Sequence, residues 1–173
     1  MTGKRNEGFT LIELLIVVAI ISIIAAIAVP GLLRARMTGN ETSALASLKV
    51  VNSSQVAYSA SCGNNGYAAT FVILGTPAPG TTVGFISPDL GTVAAPVKSG
   101  YNFLMGPGTG VAGPVDCGGT NLTQTAYYAS AVPQTFGTSG GRSFATNAQN
   151  TVWQVFAALA PAEPFGAPAT PIQ

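Results

Sequence analysis

Gly8-Phe9-Thr10-Leu11-Ile12-Glu13-Leu14-Leu15 opens a run in which no charge occurs from Leu14 to Leu33. As a helix rising about 1.5 Å per residue, those residues span ~30 Å, the thickness of a bilayer core. Pro30 falls near the end of the run and is expected to kink or loosen the helix there. Past Pro30-Gly31 the chain stays helix-compatible to about Ser61, with no further proline until Pro77. The reading is a helix over 9–61, about 80 Å long, with 9–33 as its membrane or filament portion. A chain of 173 residues does not bury such a rod alone, so something else must cover it.

Three readings of the apolar run compete. Lys4-Arg5 followed by apolar residues and Ala26-Ile27-Ala28 resembles a cleaved signal peptide, but the run exceeds the usual ~7–15 residues. A plain transmembrane anchor explains the length. Neither explains Glu13, because a carboxylate in lipid costs a few kcal/mol unless it is neutralised. Cleavage after Gly8 supplies the missing partner. Phe9 would gain a positively charged α-amino group one helical turn before Glu13. The two groups can pair within one chain or between neighbours. In an apolar bundle an unpaired charge is penalised, so this pair would set axial register more than it would add stability.

Gly8 to Leu15 after a short basic leader resembles the class III signal of type IV pilins and pseudopilins, and Pro30 stands where that family usually has a helix-kinking proline. The resemblance covers about the first 36 residues. It implies removal of residues 1–8 by a prepilin peptidase, N-methylation of Phe9, and a contact between Glu13 and the Phe9 amine of an adjacent subunit. Processing is thus assigned to Gly8 and Phe9, and assembly to Phe9, Glu13 and Pro30. Ser22 departs from the glycine that many members carry and that is linked to helix melting in the filament.

The second half of the helix is amphipathic. Ala44, Leu48, Val51, Gln55, Tyr58 and Cys62 recur at alternating steps of four and three, with Ser47, Lys49 and Ser53-Ser54 on the opposite face. Thr38-Gly39-Asn40-Glu41 fits a capping box, where the helix can pause and restart. Cys62 ends the stripe, so its sulfur points toward the remainder of the chain and toward Cys117. An even cysteine count in an exported chain favours a disulfide, worth about 4 kcal/mol by loop-closure entropy. It also requires the C-terminal part to lie outside the cytoplasm. That breaks the near tie in positive charge between Lys4-Arg5 and Arg34/Arg36 across the span.

Gly63-Asn-Asn-Gly66 is expected to end the helix. Residues 67–98 read as an irregular, anchored loop region. Strand signals follow at 101–105, 126–132, 142–146 and 151–156, joined by turns at 137–141 and 147–150. They predict an antiparallel meander with one face on the helix stripe and Tyr101, Phe103, Phe144 and Trp153 as core candidates. Four prolines in 161–173 predict an extended or disordered tail. The fold class is α+β: a long N-terminal helix on a small antiparallel sheet, divided into leader 1–8, helix 9–61, head 62–160 and tail 161–173.

Composition narrows the function. Charged residues make up 8% of the chain, against about 25% in soluble domains, so assembly or membrane contact is expected. There is no histidine, and Glu7, Glu13, Glu41, Asp89, Asp116 and Glu163 show no paired-carboxylate spacing. Neither an enzyme nor a metal or other cofactor is expected. Net charge is +1 without a basic stripe, which argues against nucleic acid as a partner.

The leading expectation is a structural subunit of a homo-oligomeric type IV pilus filament on the cell surface. By resemblance, its partners are the prepilin peptidase/methylase and the pilus assembly machinery. The precursor would sit in the inner membrane, single-pass, with the head outside the cytoplasm. Two alternatives accompany it. A type II secretion pseudopilin is one, although major pseudopilins usually carry an aspartate-rich calcium loop and no aspartate follows Asp116. The other is a minor pilin acting as an adhesive binding module. Closely spaced aromatics for electron conduction are lacking, since the helix offers only Phe9 and Tyr58. Asn40, Asn52 and Asn121 stand in Asn-x-Ser/Thr triplets, which leaves glycosylation open.

Overall fold

The structure, a computed structural model, describes residues 9–172. Gly8 and the rest of the expected leader lie outside the described residues. The chain divides into two units, Met1–Arg36 and Met37–Gln173. One continuous helix, α1 (Leu11–Ser61), accounts for most of the described first unit and opens the second.

In the first unit every residue from Phe9 to Arg36 is exposed. α1 is long and apolar enough there to cross a membrane. Pro30 lies inside the helix, which continues through it. Having no N–H, Pro30 leaves the carbonyl one turn before it without its usual partner. The Ser22 hydroxyl donates back to the Val18 carbonyl at 2.7 Å, so it competes for a helix acceptor instead of reaching outward.

The second unit begins with the amphipathic part of α1. Ala44, Leu48, Val51, Gln55, Tyr58 and Cys62 are all buried, as the periodicity predicts. Two serines assigned to the opposite face, Ser47 and Ser54, are buried too. Ser54 donates to the Phe85 carbonyl at 2.8 Å, because the 67–98 segment wraps that flank of the helix. The expected pause at Thr38–Glu41 does not occur. Asn40 donates to the Ser139 carbonyl and Glu41 accepts from Gly141, so both side chains serve tertiary contacts and the helix runs on. It ends at Gly63-Asn64-Asn65-Gly66, where Asn64 and Asn65 adopt positive φ.

The 67–98 segment is anchored, as expected, but contains two short helices, α2 (Phe71–Gly75) and α3 (Pro88–Gly91), and strand β1 (Val97–Lys98). Phe71, Leu74, Ile86 and Leu90 bury against the core cluster. The backbones of Gly75, Gly84 and Gly91 approach so closely that a Cβ on any of them would meet backbone of another. No sequence period marks such a crossing.

Five further strands complete the main sheet: β2 (Tyr101–Gly106), β5 (Tyr128–Pro133), β6 (Ser143–Asn147), β7 (Val152–Val155) and β8 (Thr170–Ile172). Their order is β1-β2-β5-β6-β7-β8, and each neighbouring pair is antiparallel. Between β2 and β5 a separate two-stranded hairpin forms from β3 (Ala112–Val115) and β4 (Leu122–Gln124). The short, proline-containing β3 gave no strand signal. Pairing of Phe103 with Ala131, and of Ala131 with Phe144, puts these three on one face. They join Tyr101 and the helix stripe in a single core.

Trp153 does not join that core. It pairs with Ala145, one step out of phase with Phe144, and so faces the other side of the sheet. There it stacks on Phe165 at 5.4 Å between ring centroids, and Phe165 also meets Tyr128 at 6.2 Å. The tail is therefore not a loose end. Tyr128 Oη donates to the Pro161 carbonyl at 2.6 Å, Ala169 is buried, and β8 pairs with β7. Prolines hid a strand that forms only because a free sheet edge receives it.

Candidate assembly segment and the polar anchors of the head

Thr10 and Glu13 close the start of α1 by a capping box. Thr10 N–H donates to Glu13 Oε2 at 2.9 Å, and Glu13 N–H returns a bond to Thr10 Oγ1 at 3.3 Å. The Thr10 hydroxyl adds a third, at 2.6 Å to Oε2. The signal for it is Thr-x-x-Glu before an apolar run, a pattern that Thr38–Glu41 also presents. Two orphan donors of the first turn are thereby satisfied. Oε1 takes part in none of these three bonds, so the carboxylate keeps an oxygen for a further donor. Gly8 precedes Phe9 in this chain, so the Phe9 nitrogen is a peptide nitrogen and carries no charge.

Around Glu13 the side chains are those of a surface that belongs in lipid or against other apolar helices. Phe9 is 85% exposed, Leu11 76%, and Ile27 77%. At about 25 cal/mol per Å² of apolar surface covered, any environment that shields this segment from water would be strongly favourable.

Within the second unit, Glu41, Asn52 and Gln55 are among the buried polar side chains that tie α1 to the rest of the chain. Glu41 accepts from Gly141 N–H at 2.8 Å and Arg142 Nε at 2.9 Å, with a further Arg142 nitrogen at 2.7 Å. Arg142 also reaches Gln154 Oε1 and lies 5.6 Å from the Phe144 ring centre. Asn52 donates to the Asn150 carbonyl and accepts from Tyr127 Oη and Thr146 Oγ1. Gln55, wholly buried in the apolar stripe, bonds both backbone groups of Ala68 at 2.9 Å. These pairings explain how amides sit in a core without an unmet-bond penalty.

Cys62 and Cys117 form a disulfide with Cα atoms 4.6 Å apart. It joins the end of α1 to the 116–121 turn. Asp116 organises that turn, accepting from Gly118 N–H and Asn121 Nδ2, with Tyr58 Oη at 3.3 Å. Burial alone would raise the Asp116 carboxyl, but the hydrogen bonds from Asn121, Thr120 and Tyr58 outweigh it and hold it below the usual range. Burial pushes the Tyr58 phenol upward, so it stays a neutral donor. No group of three or more His, Cys, Asp or Glu able to hold a metal occurs among the described residues. The amides of Asn40, Asn52 and Asn121, in the three triplets, are all engaged in hydrogen bonds.

Residues 3–29 match the family described as the prokaryotic N-terminal methylation motif. The chain is 46% identical over 56 residues to a type IV major pilin protein, PilA, of Myxococcus xanthus. It is 59% identical over 39 residues to a type IV wide pilus major component, PilA4, of Thermus thermophilus. These alignments cover 32% and 22% of this chain, and 26% and 30% of the relatives. Less than a third of either relative is therefore spanned. No solved structure matches the chain significantly. The chain is thus similar to type IV major pilins over less than a third of its length, and its methylation motif falls at the N-terminus.

Proposed function

We propose that the chain is the precursor of a structural subunit of an extracellular type IV pilus. The observation that carries this reading is the exposed apolar face of α1 from Leu11 to Leu33, interrupted by no charge except Glu13 near its start. A prepilin peptidase cuts between Gly8 and Phe9 and the new Phe9 amine is methylated. Residues 9–33 hold the precursor in the inner membrane with the head outside the cytoplasm, then form the filament core. Glu13 meets the Phe9 amine of an adjacent subunit through the carboxylate oxygen that the capping box leaves open. The assembly machinery supplies the energy for extraction from the bilayer. Both curated relatives are described as major pilus components, which favours a pilus over a secretion pseudopilus.

The test is the N-terminus of subunits from surface-sheared filaments. A chain beginning at N-methylated Phe9 is the expected result. A soluble product beginning at Val29 would select the signal-peptide reading instead.

A further inference from the structure

Charge in the second unit is scarce enough to be followed residue by residue. Between Met37 and Gln173 the chain carries three cations, Lys49, Lys98 and Arg142, and four acids, Glu41, Asp89, Asp116 and Glu163. Lys98 pairs with Asp89, and Arg142 with Glu41, both at 2.7 Å. Asp116 is buried in the turn it organises. Lys49 and Glu163 are left without an ion pair among the described residues. Lys49 is exposed and makes no hydrogen bond among them either. Glu163 accepts from two neutral groups, Thr109 N–H at 3.1 Å and Asn147 Nδ2 at 2.7 Å, so its charge is hydrogen-bonded but not offset by a cation.

The surroundings of the two groups match as well as their signs do. Lys49 lines a groove of about 520 Å³ between the outer side of α1 and the β7–β8 edge, with Val56, Val152 and Ile172 as apolar walls. No carboxylate among the described residues lines it. Glu163 belongs to the tail, where its neighbours Ala162, Pro164, Gly166, Ala167 and Pro168 are all exposed. One base in an apolar groove thus faces, in type, one acid on a protruding loop of small apolar residues. Both sites border the 147–150 turn, through Asn147 at Glu163 and Asn150 at the groove, yet the two charges do not pair within the chain.

We propose that the groove around Lys49 receives the Glu163 loop of a second copy of this chain. Such a contact joins two different patches, so it is heterologous, the kind that repeats into an open filament. An exposed ion pair contributes at most about 1 kcal/mol, so the charges choose partner and register while the apolar walls supply the burial. The inference rests on the pilus reading and adds to it a contact between heads.

Ser53, which lines the groove, and Ala162 are both exposed, so a cysteine at either position leaves Lys49 and Glu163 in place. Full-length Ser53→Cys and Ala162→Cys chains are co-expressed, surface filaments are sheared and oxidised, and the joined peptides are identified by mass spectrometry. A bond between positions 53 and 162 of different copies is expected, and none when Thr82→Cys, at an exposed position elsewhere, replaces Ser53→Cys. Lys49→Glu in the Ser53→Cys chain is expected to cut the yield of that bond about tenfold by like-charge repulsion, and Glu163→Lys in the Ala162→Cys chain to restore it. Filaments that contain both chains but no 53–162 bond, an equal bond from Thr82→Cys, or a bond indifferent to Lys49→Glu would each overturn this inference and leave the pilus reading standing. Absence of the chain from sheared filaments would overturn both.

Discussion

Thr10 and Glu13 exchange backbone-to-side-chain hydrogen bonds in both directions, at 2.9 and 3.3 Å, so the one acid in the apolar segment already caps its own helix. Glu13 can therefore enter an apolar environment with part of its hydrogen-bonding capacity met inside its own chain. Pairing with a neighbouring amine would complete it.

Two substitutions separate capping from pairing. Glu13→Val removes the pairing and the carboxylate half of the cap, leaves the residue-13 N–H on Thr10 Oγ1, and is expected to leave processing intact while filament yield falls to a small fraction. Thr10→Val removes only the side-chain half of the cap, worth about 1 kcal/mol, and should reduce yield less. Immunoblots of sheared filaments and of membrane fractions measure both quantities. Abundant normal filaments from Glu13→Val would remove that residue from its assigned role.

The anchor between Glu41 and Arg142, 101 residues apart, should matter for the head. Arg142→Ala leaves a largely buried carboxylate with only the Gly141 N–H, at a cost of about 2 kcal/mol. Replacing both residues with apolar ones of similar size should recover part of that loss. Chemical denaturation of the disulfide-intact protein gives the two numbers, and a double variant as unstable as the single one contradicts the assignment.

Loss of the Cys62–Cys117 bond releases a loop with a sequence separation of 55 and should destabilise the head by about 4 kcal/mol. The Cys62→Ser/Cys117→Ser chain is expected to unfold at a much lower denaturant concentration. Unreduced, unfolded wild-type protein should show no titratable thiol.

Acid sensitivity should trace to Asp116 and, more weakly, to the exposed Asp89. Asp116 is held below its ordinary value in the folded chain. For Asp89 the causes are Lys98, then the Ser87 hydroxyl. On acidification the unfolded chain takes up protons first. The stabilisation is thus complete above the ordinary aspartate range of about 4 and disappears as pH falls through it toward the folded-state value. Asp116→Asn should flatten that part of the stability profile. An unchanged acid slope in the variant would locate the effect elsewhere.

Where Gly75, Gly84 and Gly91 meet, a side chain has no room. Gly91→Ala is expected to destabilise by about 2 kcal/mol, because its Cβ would press on the Gly75 backbone. Gly106→Ala, which has open space, is the matched control. Thermal melts of the two variants should differ clearly.

Much of this molecule is local enough to be read from the chain alone. An uninterrupted apolar run sets the helix, a four-three stripe names the residues from Ala44 to Cys62 that bury, and glycine-bounded alternation marks four strands. Each depends on spacing within one element, where neighbours in sequence are neighbours in space. Phase and partnership were decided by tertiary structure. Trp153 looked like core by type, yet its register opposite Ala145 turned it to the far face. The proline-rich tail became a strand because β7 offered an unpaired edge, and Thr38–Glu41 ceased to be a cap because the loop around Gly141 claimed Glu41. Hydrogen-bonding groups take whichever partner the folded chain brings within reach, and sequence distance does not rank those partners.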